Sequence, residues 1–437
     1  MDAYFDGIGR LLGRRERRAN FALYALGLLS KLERKSVEPI AALAAGNDPL
    51  VSAKLHDHLL HFTSVSPWSD EAVRSYAAHY ALAPMLEQGA MDCWIVDDTG
   101  FLKQGEHSVG VKRQYTGSAG KITNCQVAVS LTVATVGQHL PLDIEVYLPE
   151  EWIEDPARRG EAKIPAELRF RTKPEMALDM IARWVLRDVP PATVCADSGY
   201  GHDGKFRGGL TQMGLSYAVG VHATLKVRLV RARGSVGPEQ TVLELARALS
   251  RKAFKKVCWA EGTRSSLCSR FALVRVQIVG GDSAEPVDQR LLIEWPKETE
   301  SPEHYTLVTL PETTALKEVV RKTKARWHVE GSYEDMKGEL GLDHFEGRSW
   351  IGWNHHTSIV LACYALTIAS KMRAFPPSAA GTLQAGPDER ADGAALPRFV
   401  RDRSVGADAA RGTVAAGIFC DAAPGHPDAT RIENQAA

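Results

Sequence analysis

The chain has 437 residues, 44% of them apolar, which is room for two or three domains with cores of their own and a composition typical of a soluble globular protein. Lysine plus arginine balances aspartate plus glutamate, 53 against 53, so net charge alone announces no nucleic-acid partner, and only the distribution of charge can. Seven cysteines, an odd number with no Cys-x-x-Cys pair, weigh against a zinc ribbon and a disulfide framework and favour a reducing cytoplasm.

Residues 1–90 read as helical, with apolar residues at helical spacing in Phe21–Leu29 and again in Val73–Leu86. Arg10, Arg14, Arg15, Arg17 and Arg18 precede the first run, either as a solvated face or as contacts to DNA phosphates. Phe21–Leu29 imitates a signal peptide, but Lys31, Glu33, Arg34 and Lys35 follow it without a small-residue cleavage site. Ile359–Ala369 falls short of the ~20 apolar residues a bilayer requires. Both are expected to be buried helices, with no membrane contact.

The texture changes at Cys93. Cys93–Val96 is a short apolar run stopped by Asp97-Asp98-Thr99-Gly100, the pattern of a buried strand entering a turn. Strands are predicted over Cys125–Ala134, His139–Leu148, Thr193–Ala196 and Ser216–Val221, and a helix over Lys173–Arg187. That order describes an α/β fold, a mixed sheet with helices packed on it, spanning residues 91–222. Residues 223–310 interrupt the core. Between Thr224 and Arg275 stand twelve basic residues against three acidic ones, a basic inserted subdomain whose natural partner is DNA. Arg251, Lys252, Lys255 and Lys256 are its densest cluster. Residues 311–375 resume the core with helices over Thr313–Leu340 and Trp350–Met372. Residues 376–437, rich in Ala, Gly, Pro, Asp and Arg without periodicity, read as a disordered tail.

Phosphoryl transfer on DNA calls for carboxylates that converge on divalent metals, two ions ~4 Å apart in the common arrangement. Asp97 and Asp197 each follow a short apolar strand, where open α/β sheets place their chemistry. Taken singly, an aspartate after a strand is more often a turn former or helix cap. Glu330 lies on the predicted helix, about 40° around the axis from Arg326 and about 20° from Lys337, so all three share a face. Arg and Glu four apart also make an ordinary surface pair. Trp327 and Tyr333 flank that face, as core or as stacking platforms for bases.

Arg326, Glu330 and Lys337 stand at the spacings of a signature carried by bacterial insertion-sequence transposases of the DDE class, with Thr323 where that signature has tyrosine. Val96–Lys103, Ser108–Gly117, Asn124-Cys125-Gln126 and Gly341–Trp350 resemble segments of the insertion-sequence-701 group, and the similarity runs from about Phe5 to Met372. The resemblance implies a ribonuclease-H-like core with a β-rich basic insertion, preceded by a helical N-terminal DNA-binding region. It implies that Asp97, Asp197 and Glu330 are catalytic and bind metal, Mg2+ with Mn2+ able to substitute, and that their carboxyl groups converge at one edge of the sheet. Asp98 competes for the first position, since alternation cannot choose between neighbours at a strand end. The resemblance further implies that Arg326 and Lys337 position the glutamate and contact phosphates. The partners it implies are double-stranded DNA, both terminal inverted repeats and target, and a second copy of the chain as a homodimer on DNA. A cytoplasmic, nucleoid-associated place goes with these.

Two other classes remain open to a single sequence. One is a transposase-derived regulator that binds DNA without catalysis; the other is a nuclease that cuts but does not join. His56, His58 and His61 match no common zinc spacing. His355-His356 is expected to begin the last helix beside the core.

Overall fold

In the computed structural model, residues 1–46, 48–231, 234–261, 266–280 and 288–374 are described, and they belong to one compact unit. The tail expected over 376–437 lies outside the described residues. Five helices open the chain: α1 (Asp2–Leu12), α2 (Arg15–Leu29), α3 (Val37–Ala45), α4 (Pro49–Ser64) and α5 (Asp70–Gln88). Part of the arginine cluster is structural here. Arg17 and Arg18 donate to the Leu12 and Gly13 carbonyls at 3.4 and 3.1 Å, satisfying the end of α1.

The core follows with β1 (Cys93–Leu102), β2 (Lys112–Thr116), β3 (Lys121–Ala134) and β4 (His139–Val146), then α6 (Glu150–Glu154), α7 (Pro156–Ala162) and α8 (Lys173–Val185). Next come β5 (Thr193–Ala196), α9 (Ser198–Gly201), α10 (Gly204–Gln212) and β6 (Tyr217–Gly220). β3 is antiparallel to both β1 and β4, β5 is parallel to β1, and β6 is parallel to β5. The spatial order β4-β3-β1-β5-β6 puts β1 in the middle. That explains why Cys93-Trp94-Ile95-Val96 is apolar without alternation: both faces of a central strand are covered. The result is a mixed, open sheet consistent with a ribonuclease-H-like core.

The insertion contributes β7 (Lys226–Val230), β8 (Val236–Thr241), α11 (Val242–Ala248), β9 (Lys255–Glu261), β10 (Ser266–Ile278), β11 (Asp288–Trp295) and β12 (His304–Val308). It does not hang apart from the core. β12 pairs antiparallel with β6, so the inserted strands extend the same sheet. One sequence reading needs correction in this region. Cys258 and Cys268 face each other across β9 and β10 and form a disulfide, a pairing that depends on strand register and so escapes spacing rules. The basic excess is also partly neutralised: Glu239 meets Lys226 and Arg228, and Asp288, beyond the counted segment, meets Arg275.

The expected helix over Thr313–Leu340 is divided into α12 (Leu316–Lys324), a 3-10 turn at Ala325–Trp327, and α13 (His328–Gly338). The last helix, α14 (Trp350–Ala374), is buried over most of its length, packing on α5, α2, α4 and β4. His355 bonds the Thr63 and Trp68 carbonyls, and His356 bonds Tyr24 and the Gly341 carbonyl, so both imidazoles serve the core. Asp143 of β4, buried, accepts from Arg74 of α5 and from Arg183 and Trp184 of α8. A buried carboxylate is tolerable only with such partners, and these lock the N-terminal helices to the sheet. Among the described residues no helix is long and apolar enough to cross a membrane.

Candidate active site

The register of the parallel pair β1/β5, Cys93 with Thr193 through Ile95 with Cys195, carries forward two residues to bring Asp97 beside Asp197. Adjacent strands lie about 4.8 Å apart, so Asp97, still inside β1, stands beside Asp197 where the chain leaves β5; the turn expected at Asp97–Gly100 is instead strand, paired with β3 through Leu102. Their carboxylates interact: burial pushes Asp97 up to about 7, Arg326 and the Asp98 N–H oppose this, and the negative charges of Asp197 and Asp98 add to it. Asp197 caps α9, its Oδ1 accepting from the Gly199 N–H at 2.9 Å; among the described residues its Oδ2 has no partner.

A row of contacts stitches α12 and α13 along β1. Arg321 makes a bidentate bond to Asp92 at 2.7 Å for both arms, and Lys322 joins it at 2.8 Å. Burial alone would raise Asp92, but these two cations outweigh it and hold the carboxyl below its usual range. Farther on, Arg326 Nη1 meets Asp97 Oδ2 at 2.9 Å, Tyr333 bonds Ser130 opposite Asp97 at 2.5 Å, and Lys337 donates to Thr99 Oγ1 and the Gly100 carbonyl, both at 2.8 Å. Sixteen residues of helix from Arg321 to Lys337 rise about 24 Å, and the eight strand residues from Asp92 to Gly100 span about 26 Å. By the same measure Glu330 falls about 13 Å along the helix, within about a residue of the level of Asp97.

Asp97 therefore shares a sheet face with Ser130 and the helix that carries Glu330. Asp98 points to the opposite face, where Lys173 of α8 bonds it at 3.0 Å and the Tyr200 hydroxyl lies 3.4 Å away. Of the two adjacent aspartates, Asp97 is the one on the glutamate's side. The site is gathered only in part. Glu330 is exposed, and among the described residues no three Asp, Glu, His or Cys side chains stand together as a metal-holding group.

Trp327 is 67% exposed beside Arg326, whereas Tyr333 is buried, so the two aromatics flanking Glu330 have different fates. Lys337 has its ammonium on β1 and over the Phe101 ring, and burial lowers its pKa. Arg251 and Lys252 form a short 3-10 turn leading into Lys255 and Lys256 of β9, and all four are exposed. β9 packs on α12, and Lys324 of α12 lies over Trp259 of β9. Sequence reasoning missed Lys173 and Tyr200, which sit more than seventy residues from Asp98 and follow no spacing. It also missed Arg321 and Lys322, which helical periodicity before Arg326 could have found.

Residues 8–266, more than half of the chain, match the family described as DDE superfamily endonuclease, and residues 172–366 match the family described as transposase DDE domain. The probable transposase for insertion sequence element IS701 of Microchaete diplosiphon is 32% identical over 211 residues, 48% of this chain and 50% of that protein. The chain thus spans about half the length of this curated relative. A piggyBac transposase synaptic complex with hairpin DNA aligns over 82% of this chain and 66% of that one, at 12% identity and a TM-score of 0.42. With more than half of its residues matched, the chain belongs to the DDE superfamily of endonucleases.

Proposed function

We propose that the protein is a DNA transposase that cuts at the ends of its element and joins them to target DNA, with Asp97, Asp197 and Glu330 holding divalent cations. The observation that carries this reading is the adjacency of Asp97, within β1, and Asp197, just past the end of the neighbouring parallel strand β5, under a helix fastened along β1 that carries Glu330. The donor chemistry fits Mg2+ or Mn2+: three carboxylates, two of them close enough to repel, and no thiolate among them. When bound, such ions supply the positive charge that stabilises phosphoryl transfer.

The chain's own groups prepare that site. Arg326 pairs with Asp97, and Lys337 fastens α13 to β1 so that Glu330 stays near the level of Asp97. Asp98 is a positioning residue that holds Lys173 and the buried Tyr200 on the other face of the sheet. The exposed cluster Arg251, Lys252, Lys255 and Lys256 supplies phosphate contacts away from the cut, and the assembly on DNA is at least a dimer. The test is incubation of the full chain with Mg2+ and a duplex taken from the DNA flanking the coding region. Cleavage plus joined products, both lost in Glu330→Gln, is the expected result. Binding without cleavage would replace this reading with a DNA-binding regulator, and cleavage without joined products would replace it with a nuclease.

A further inference from the structure

The hairpin of β2 and β3 has features that the cleavage site does not use. Between Glu106 and Asp143 the chain carries three basic residues, Lys112, Arg113 and Lys121, and no acidic one. Lys112 is met by Glu151 at 2.6 Å. Arg113 and Lys121 are exposed and, among the described residues, have neither a hydrogen-bond nor an ion-pair partner. Tyr115 and Ile122 pair across the two strands and are 62% and 60% exposed. An aromatic and a branched aliphatic side chain facing each other in water, beside an unpaired arginine, have no role in the core.

The hairpin is anchored close to the carboxylates. Thr116 is buried against β1 so tightly that a Cβ on Gly100 would meet its Oγ1 at 1.9 Å. Ser118 Oγ donates to the Gly100 carbonyl at 3.3 Å, the oxygen that also accepts from Lys337 at 2.8 Å. Gly100 is three residues, about 10 Å, from Asp97 along β1. Thr116 faces inward, so alternation turns Arg113 and Tyr115, with Ile122 opposite, to the outer side. Gly117 and Gly120 at the turn have open space around them, which allows close approach of another backbone.

We propose that this hairpin is a DNA-gripping arm, a two-stranded ribbon that enters a groove of the duplex beside the cut. Arg113 and Lys121 meet phosphates, while Tyr115 and Ile122 pack on the sugar faces or wedge at a base step. Unpaired cations on an acid-free stretch complement a polyanion, and a two-stranded ribbon with an apolar tip suits a groove. The inference rests on the transposase reading above and adds where the duplex is held.

The experiment measures binding of the full chain to a duplex from the flanking DNA across a range of salt concentrations, alongside cleavage by the same preparations. Arg113→Ala with Lys121→Ala should lower the slope of log affinity against log salt by about two. Tyr115→Ala with Ile122→Ala should weaken binding on the order of tenfold and leave that slope unchanged. Thermal melts should match wild type, since all four side chains are exposed. If the wild type binds and cleaves while both double variants keep its affinity and slope, the arm is overturned and the transposase reading stands. If the wild type binds no duplex, both fall.

Discussion

Arg326 and Asp97, 229 residues apart in the chain, meet at 2.9 Å where the turn leading into the helix that carries Glu330 lies against the middle of β1. The contact joins the segment carrying Glu330 to the central strand, and the guanidinium partly offsets the burial that raises the Asp97 carboxyl. It also separates the roles of two neighbouring aspartates: Asp97 takes the arginine on the glutamate's face, and Asp98 takes Lys173 on the other.

Asp97 should make the metal-free protein lose stability as pH rises. Burial raises its folded pKa to about 7, against about 3.9 in the unfolded chain. Between those values the folded state holds a proton that the unfolded state has released, so stability falls through that window and levels off above it. Asp97→Asn removes the titration. Its melting temperature relative to wild type should be near zero difference at pH 4 and increasingly positive toward pH 8. A difference that stays flat in melts across this range would mean that Arg326 keeps the carboxylate ionised throughout.

Asp97→Asn, Asp197→Asn and Glu330→Gln should each abolish cleavage and leave duplex binding within a few-fold of wild type, because in the proposed mechanism catalysis rests on the carboxylates and affinity on lysine and arginine. Asp98→Asn should retain cleavage, since that side chain lies on the other sheet face. Loss of cleavage in Asp98→Asn with retention in Asp97→Asn, read on a denaturing gel, would reverse the assignment.

The strands of the core were legible because Cys93–Val96, Thr193–Ala196 and Cys125–Ala134 are apolar runs, but the turn expected at Asp97–Gly100 was misplaced, since polar residues there belong to a strand that runs on to Leu102. What joins them was not legible. The pairing of Asp97 with Asp197 needs the β1/β5 register, and the choice of Asp97 over Asp98 needs the face on which α13 lies. The break at Ala325–Trp327 was hidden because a 3-10 turn keeps a helical apolar pattern nearly in phase. The Cys258–Cys268 bridge was hidden for the same reason as the strand register: opposition across a hairpin leaves no spacing rule.

Lys337 should prove structural before it proves electrostatic. Its ammonium donates to Thr99 and the Gly100 carbonyl, and hydrogen bonds from a charged group contribute about 1.5–3 kcal/mol. Lys337→Ala should therefore lower unfolding free energy by about that amount. It should also cut the cleavage rate by loosening Glu330, while the salt slope of DNA binding moves by less than one phosphate contact. Chemical denaturation and salt-dependent gel shifts check the two halves. A slope reduced by a full contact with unchanged stability would place the ammonium on a phosphate instead.

The cluster on the insertion should govern assembly rather than chemistry. Arg251, Lys252, Lys255 and Lys256 are exposed on the turn into β9, and no carboxylate pairs with any of them among the described residues, unlike Lys226, Arg228 and Arg275. Four like charges so close repel one another unless phosphates offset them, and release of condensed counterions then favours binding. β9 packs on α12, so DNA held here would be rigidly placed with respect to the helix that carries Glu330. Reversing all four residues to glutamate should abolish the slower-migrating complex that contains two ends. The unbound protein should melt as before, because Arg251 stacks on Trp295 only at 5.2 Å and the other three make no described polar contact. A gel shift in which the reversed protein still forms the two-end complex would make the insertion a brace for the sheet and leave the basic excess to another partner.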